Sequence, residues 1–140
     1  YTVLGDAVNL GSRLESITKF YGAAILVSES TYTAVQEAFV WREVDYMQVK
    51  GKKEAIRVYE PLALRVEADE SLLRYAQQYA QARENYLAQR WVEAREQFIA
   101  LLQEAEGFRT LCGIYLQRIV RYEKETLPDD WCGIWQHDSK

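Results

Sequence analysis

Asn9 and Arg13 are the residues of this 140-residue sequence whose types and spacing best suit chemistry. They sit in Gly5-Asp6-Ala7-Val8-Asn9-Leu10-Gly11-Ser12-Arg13-Leu14-Glu15-Ser16. On a helix a spacing of four puts both on one face, about 6 Å apart along the axis. That face is offset from the apolar positions Leu10, Leu14 and Ile17, so both side chains can point away from a core. An amide that accepts and donates, set beside a guanidinium fork, suits a ligand carrying hydroxyls and phosphate. Spacing alone fits two solvated side chains on a surface helix equally well.

Other reactive residue types offer less. His137 is the only histidine and lies in a polar tail, which leaves little material for histidine-based metal binding or Ser-His catalysis. Cys112 and Cys132 stand 20 residues apart, without the paired spacing of a zinc site or a redox motif, and are expected as buried or half-buried thiols. Asp6 follows a glycine and precedes a helical pattern, so it is expected as a helix cap rather than a metal ligand.

These residues must be held by folded elements, and composition says that folding is expected. The chain is 49% hydrophobic, too apolar for a disordered tail. Lys and Arg number 17 against 21 Asp and Glu, a net charge of −4, which argues against nucleic acid as a partner. No apolar run approaches the roughly 18–20 residues that span a bilayer, so a soluble chain is expected. The opening Tyr1-Thr2-Val3-Leu4 reads as the middle of a strand, as in a piece of a longer protein.

β-Branched residues locate a boundary near Pro61. Residues 1–64 hold fifteen Val, Ile and Thr, while residues 65–140 hold nine, and Gly and Pro are absent from Arg65 to Glu106. In the first part we expect a strand at Tyr1–Leu4, a helix from the Asp6 cap to about Tyr21 stopped by Gly22, and a short strand at Ala24–Val27. A Ser28-capped helix to about Ala38 follows, then strands at Val40–Val49 and Ala55–Tyr59 around the basic tip Lys50-Gly51-Lys52-Lys53. The order β-α-β-α-β-β fits an α/β layer. The second part reads as three amphipathic helices. Leu72, Ala76, Tyr79, Ala82 and Tyr86 line the first; Ala94, Phe98, Leu101 and Ala105 line the second; Phe108, Cys112, Tyr115, Ile119 and Tyr122 line the third. We expect Trp91 and Phe98 at their centre, and Trp131 and Trp135 in an irregular tail after Pro128.

Residues 1–64 resemble the C-terminal half of the catalytic domain of class III adenylate and guanylate cyclases. The resemblance rests on Asn9-x-x-x-Arg13, the strand end Leu26-Val27-Ser28-Glu29, Val49-Lys50-Gly51-Lys52 and Val58-Tyr59-Glu60-Pro61. It implies a partial nucleotide cyclase fold, derived from the ferredoxin-like arrangement, and conversion of ATP to 3′,5′-cyclic AMP and pyrophosphate in signal transduction. It places Asn9 on the ribose, Arg13 on the α-phosphate, Lys50 on the triphosphate tail and Thr2 at the base, where a threonine favours ATP over GTP. It also implies two Mg²⁺ or Mn²⁺ ions with ligands in an upstream half, hence no metal ligand in this chain, and a site formed between two catalytic domains, as in a homodimer. By itself the chain is then expected to be inactive. The alternative is a cyclase-like regulatory or scaffold protein without turnover.

Residues 65–140 resemble a tetratricopeptide-like hairpin plus a third helix, with Ala82, Ala94 and Phe98 at the small and aromatic positions of that repeat. The helical tail could then bind a protein partner. The ending Leu127-Pro128-Asp129-Asp130-Trp131-Cys132-Gly133-Ile134-Trp135 resembles tails of bacterial sensor-linked cyclases, which implies a cytoplasmic segment of a membrane-anchored parent.

Overall fold

The computed structural model describes residues 12–49 and 51–137. Two compact units divide it. One comprises the chain up to Ala68 together with the segment from Gly133, and the other runs from Asp69 to Cys132.

The first unit contains α1 (Ser12–Phe20), β1 (Val27–Ser28), α2 (Glu29–Val35), β2 (Phe39–Val49), β3 (Ala55–Leu64) and β4 (Trp135–His137). The expected strand at Tyr1–Leu4 and the Asp6 cap lie outside the described residues. Gly22 stops α1 as expected, at φ 68°. Its N–H donates to the Lys19 carbonyl at 3.0 Å and the Ala23 N–H donates to that of Thr18 at 3.1 Å, which closes the helix through a left-handed residue. Ser28 caps α2, its hydroxyl accepting from the Thr31 N–H at 3.4 Å. Two elements are shorter than expected. α2 gives way at Gln36–Ala38 to a 3-10 turn, and the strand expected at Ala24–Val27 is reduced to Val27–Ser28. The Ala24 N–H donates to the Glu60 carboxylate at 2.9 Å rather than to a neighbouring strand.

The sheet has the order β1-β3-β2-β4, with β3 antiparallel to both β1 and β2 and β4 parallel to β2. Pro61, expected at a boundary, lies inside β3 opposite Trp41. A proline is tolerated there because β1 pairs only with Val58 and Tyr59 and the β2–β3 register shifts between Val40 and Trp41. A second shift falls between Glu43 and Asp45, and it breaks the strict alternation of β2. Val40, Arg42 and Val44 are buried before it, Asp45, Met47 and Val49 after it. The expected irregular tail also gains structure, because Trp135–His137 forms β4 beside Met47–Val49. A parallel neighbour needs a long crossover, and the connection from β2 to β4 runs through β3 and the whole second unit.

The second unit holds α3 (Glu70–Leu87), α4 (Trp91–Glu104) and α5 (Arg109–Tyr122), with α3 packed on α4 and α4 on α5. Asp69 caps α3, accepting from the Leu72 N–H at 2.8 Å. Between α3 and α4 the chain turns through Gln89 at φ 62°, with the Arg90 N–H donating to the Asn85 carbonyl at 2.9 Å. Asn85, itself buried, ties this turn down. Its amide donates to Gln97 at 2.7 Å and its oxygen accepts from Arg90 at 2.7 Å. The expected stripes of α4 and α5 are buried throughout; in α3 burial is complete at Tyr79, Ala82 and Tyr86 but partial at Leu72 and Ala76. Phe98 is central, stacked on Tyr115 with ring centroids 5.1 Å apart. Trp91 is not. It is half-buried and rests against Tyr86, Tyr122 and Trp131, while Tyr115 occupies the middle, meeting Tyr79, Tyr86 and Phe98 and accepting from Arg83 Nε at 2.9 Å. Trp91 opens α4, and an end position reaches the rim of a three-helix core rather than its middle.

Emptying the Phe98 site leaves a cavity among large rings that cannot collapse into it. Phe98→Ala is expected to cost about 3–5 kcal/mol. Denaturant unfolding, with hydrogen exchange across residues 69–132, reads the loss, and an unchanged midpoint would contradict this packing.

Candidate functional site

Of the four residues that the sequence singles out, Thr2, Asn9 and Lys50 lie outside the described residues. Arg13 is placed by its backbone in the first turn of α1. The structure does show the elements that carry Arg13 and Lys50. The first is α1, which ends at Phe20, one residue before Tyr21. The second is the β2–β3 hairpin, whose described residues stop at Val49 and resume at Gly51.

These two elements are joined by one buried side chain. Tyr21 is fully buried, and its hydroxyl donates to Asp45 of β2, which is 1% exposed. The Asp45 carboxylate also accepts from the Tyr46 N–H at 2.8 Å. The Tyr21 oxygen lies 3.6 Å from Met47 Sδ and 2.7 Å from His137 Nε2. With its own proton on Asp45, the phenol oxygen is left to accept from His137, so Nε2 is the protonated nitrogen of that ring. Phe20 meets the His137 ring edge-on at 5.4 Å. A phenol, a carboxylate and an imidazole thus hold the end of α1 against β2 and β4.

The hairpin tip is a tight turn. The Lys52 N–H donates to the Val49 carbonyl at 2.9 Å, and Gly51 sits at φ 88°, a conformation that glycine adopts without strain. Gln48 braces the turn from the strand, its amide donating to the carbonyls of Lys52 at 2.9 Å and Lys53 at 3.0 Å. Deeper in the sheet Arg42 and Glu60 form a buried ion pair at 2.6 Å, and Glu60 also holds the Ala24 N–H. Neither bracing system was visible in the sequence. His137 is 116 residues from Tyr21, and Asp45 faces inward only through the register shift before it.

Among the described residues no group of three or more His, Cys, Asp or Glu side chains could hold a metal ion. The described residues therefore do not fit a metal centre. Both cysteines are free thiols. Cys112 is buried, but Cys132 is exposed, contrary to expectation, because it follows the Pro128–Trp131 turn beyond the last helix. No helix among the described residues is long and apolar enough to cross a membrane.

Residues 1–60 match the adenylate and guanylate cyclase catalytic domain. The chain is 50% identical over 62 residues to an adenylate cyclase of Anabaena cylindrica, covering 42% of this chain and 12% of that protein. It is 48% identical over 62 residues to the terminal-differentiation-specific adenylate cyclase of Dictyostelium discoideum, covering 42% of this chain and 3% of that protein. Adenylate cyclase 1 of Rhizobium meliloti (strain 1021) is 35% identical over 60 residues, 43% of this chain and 9% of that protein. The chain therefore spans at most about an eighth of the length of these relatives. No solved structure matches it. The cyclase-like segment ends inside β3, so the matched residues include α1 and the whole β2–β3 turn, the two elements joined by Tyr21 and Asp45.

Tyr59, in β3, has its phenol pKa pushed up to about 12, first by burial and then by the carboxylates of Glu43 and Glu29. Its ring stacks on Tyr32 at 4.0 Å. A phenol raised in the fold favours the folded state below its unfolded value near 10, and that contribution is lost as pH rises through about 12. Wild type should therefore lose up to about 3 kcal/mol more than Tyr59→Phe between pH 10 and 12. Alkaline unfolding of the two proteins side by side measures the difference, and parallel curves would refute it.

Proposed function

We propose that this chain supplies one side of an adenylate cyclase active site that converts ATP to 3′,5′-cyclic AMP and pyrophosphate. The carrying observation is the 50% identity over 62 residues to an adenylate cyclase, beside a cyclase-domain match over residues 1–60, which contain Asn9, Arg13 and Lys50. In this reading Asn9 holds the ribose so that the 3′-oxygen lines up with the α-phosphorus. The new bond forms between those two atoms while the bond from the α-phosphorus to the bridging oxygen breaks, pyrophosphate leaves and the hydroxyl proton passes to solvent. Arg13 faces the α-phosphate, where negative charge grows in the transition state and a preorganised cation is most effective. Lys50 meets the triphosphate tail, and Thr2 accepts from or orients groups at the adenine edge.

The two Mg²⁺ or Mn²⁺ ions that the resemblance implies would find their carboxylates outside this chain, in the other half of the catalytic domain. A second cyclase domain completes the site, in a homodimer of a parent whose cyclase part works in the cytoplasm. The helices form a tetratricopeptide-like hairpin, which the complete burial of Ala82, Ala94 and Phe98 supports, and on this reading the hairpin takes a protein partner.

In the parent enzyme Arg13→Ala should lower turnover by about 10²–10³ with a much smaller change in ATP affinity. Steady-state kinetics separates the two, and a loss confined to affinity would make Arg13 a binding residue only. Thr2 is expected to bias the parent toward ATP. Competition between ATP and GTP measures that bias, and equal specificity constants would place base recognition elsewhere.

A further inference from the structure

β4 lies parallel to the last described residues of β2, with Gln136 beside Gln48 and His137 beside Val49. The Gln136 amide donates to Gln48 Oε1 at 3.0 Å, while Gln48 Nε2 donates to the carbonyls of Lys52 and Lys53. These bonds have a polarity. A primary amide can present either its oxygen or its NH₂ to the hairpin tip, and only the NH₂ can satisfy two carbonyls. A donor on the oxygen selects the useful orientation, and Gln136 is that donor. At the next position His137 is bonded to Tyr21, which keeps β4 in register with β2. The segment that follows the helical unit thus braces the tip on both sides of Lys50, through Val49 and through Lys52 and Lys53.

We propose that Gln136, acting through Gln48, is a positioning residue for the hairpin that carries Lys50, so that the C-terminal strand tunes how the site holds a nucleoside triphosphate. The proposal rests on the reading of Lys50 given above. Gln136→Leu keeps the bulk and removes the donor. Gln48→Glu still accepts from Gln136 but cannot donate to the tip.

The test has two parts. In the 140-residue chain, either substitution should speed hydrogen exchange at the Lys52 amide by about three- to tenfold, on the scale of one lost hydrogen bond. In the parent enzyme each should raise KM for ATP by about three- to tenfold with kcat within about twofold, and neither should add to the KM effect of Lys50→Ala. A general structural role would lower kcat as well and would persist in the Lys50→Ala background, which overturns the proposal. It is also overturned if Lys50→Ala raises KM while Gln136→Leu and Gln48→Glu leave both KM and Lys52 exchange unchanged. If Lys50→Ala itself leaves KM unchanged, the reading of Lys50 fails, and the proposal falls with it.

Discussion

Asp45 is a carboxylate taken almost entirely out of water, and a group of that kind is tolerated only where donors meet it. The Tyr21 hydroxyl and the Tyr46 N–H do so, and His137 in turn donates to the Tyr21 oxygen. Each bond polarises the next, so the imidazole, the phenol and the carboxylate act as one unit. The geometry depends on the register shift between Glu43 and Asp45. Without it, simple alternation would leave Asp45 on the face opposite Val44 and Arg42. One extra residue in β2 therefore brings the end of α1, the middle of β2 and the tip of β4 to a single point.

The Arg42–Glu60 pair repeats this logic one layer away. The two residues are directly opposed in β2 and β3, and the second oxygen of Glu60 holds the Ala24 N–H. Removing one partner of such a buried pair is far costlier than replacing both by apolar groups, since the remaining charge stays buried. The helical unit is held differently. Its centre is a set of interlocked rings around Tyr115, where shape and dispersion dominate and polar groups serve to orient them. The first unit adds a few buried directional bonds to its apolar core, while the second rests mainly on the packing of rings.

This contrast explains what could be read from the chain. Helical stripes are a periodic signal, and those of α4 and α5 are buried residue for residue. Local stops and caps were equally legible, because Gly22 and Ser28 act on neighbours within a few positions. What escaped was non-local. Pro61 looked like a boundary because its tolerance inside β3 depends on the length of β1 and on the register of β2. His137 and Gln136 looked like a polar tail because their partners are 116 and 88 residues away. Trp91 looked central because aromatic content says nothing about depth in a three-helix core. The candidate residues were named from motifs, Asn9 and Arg13 from spacing together with resemblance, Thr2 and Lys50 from resemblance alone. The bracing around it was not, since it arises from a bulge and from a strand that returns after a whole folded unit.

That return has a kinetic side. Pairing β4 with β2 closes a loop that contains the entire Asp69–Cys132 unit. As an unfolded coil, a segment of 64 residues has a radius of gyration of about 24 Å, against about 11 Å once compact. Three-residue pairing offers little to offset the entropy of closing a wide coil. The strand can settle on the sheet efficiently only after the helices have collapsed and brought their two ends within reach. Folding thus acquires an order, in which the aromatic core forms early and the polar contacts of Gln136 and His137 come last.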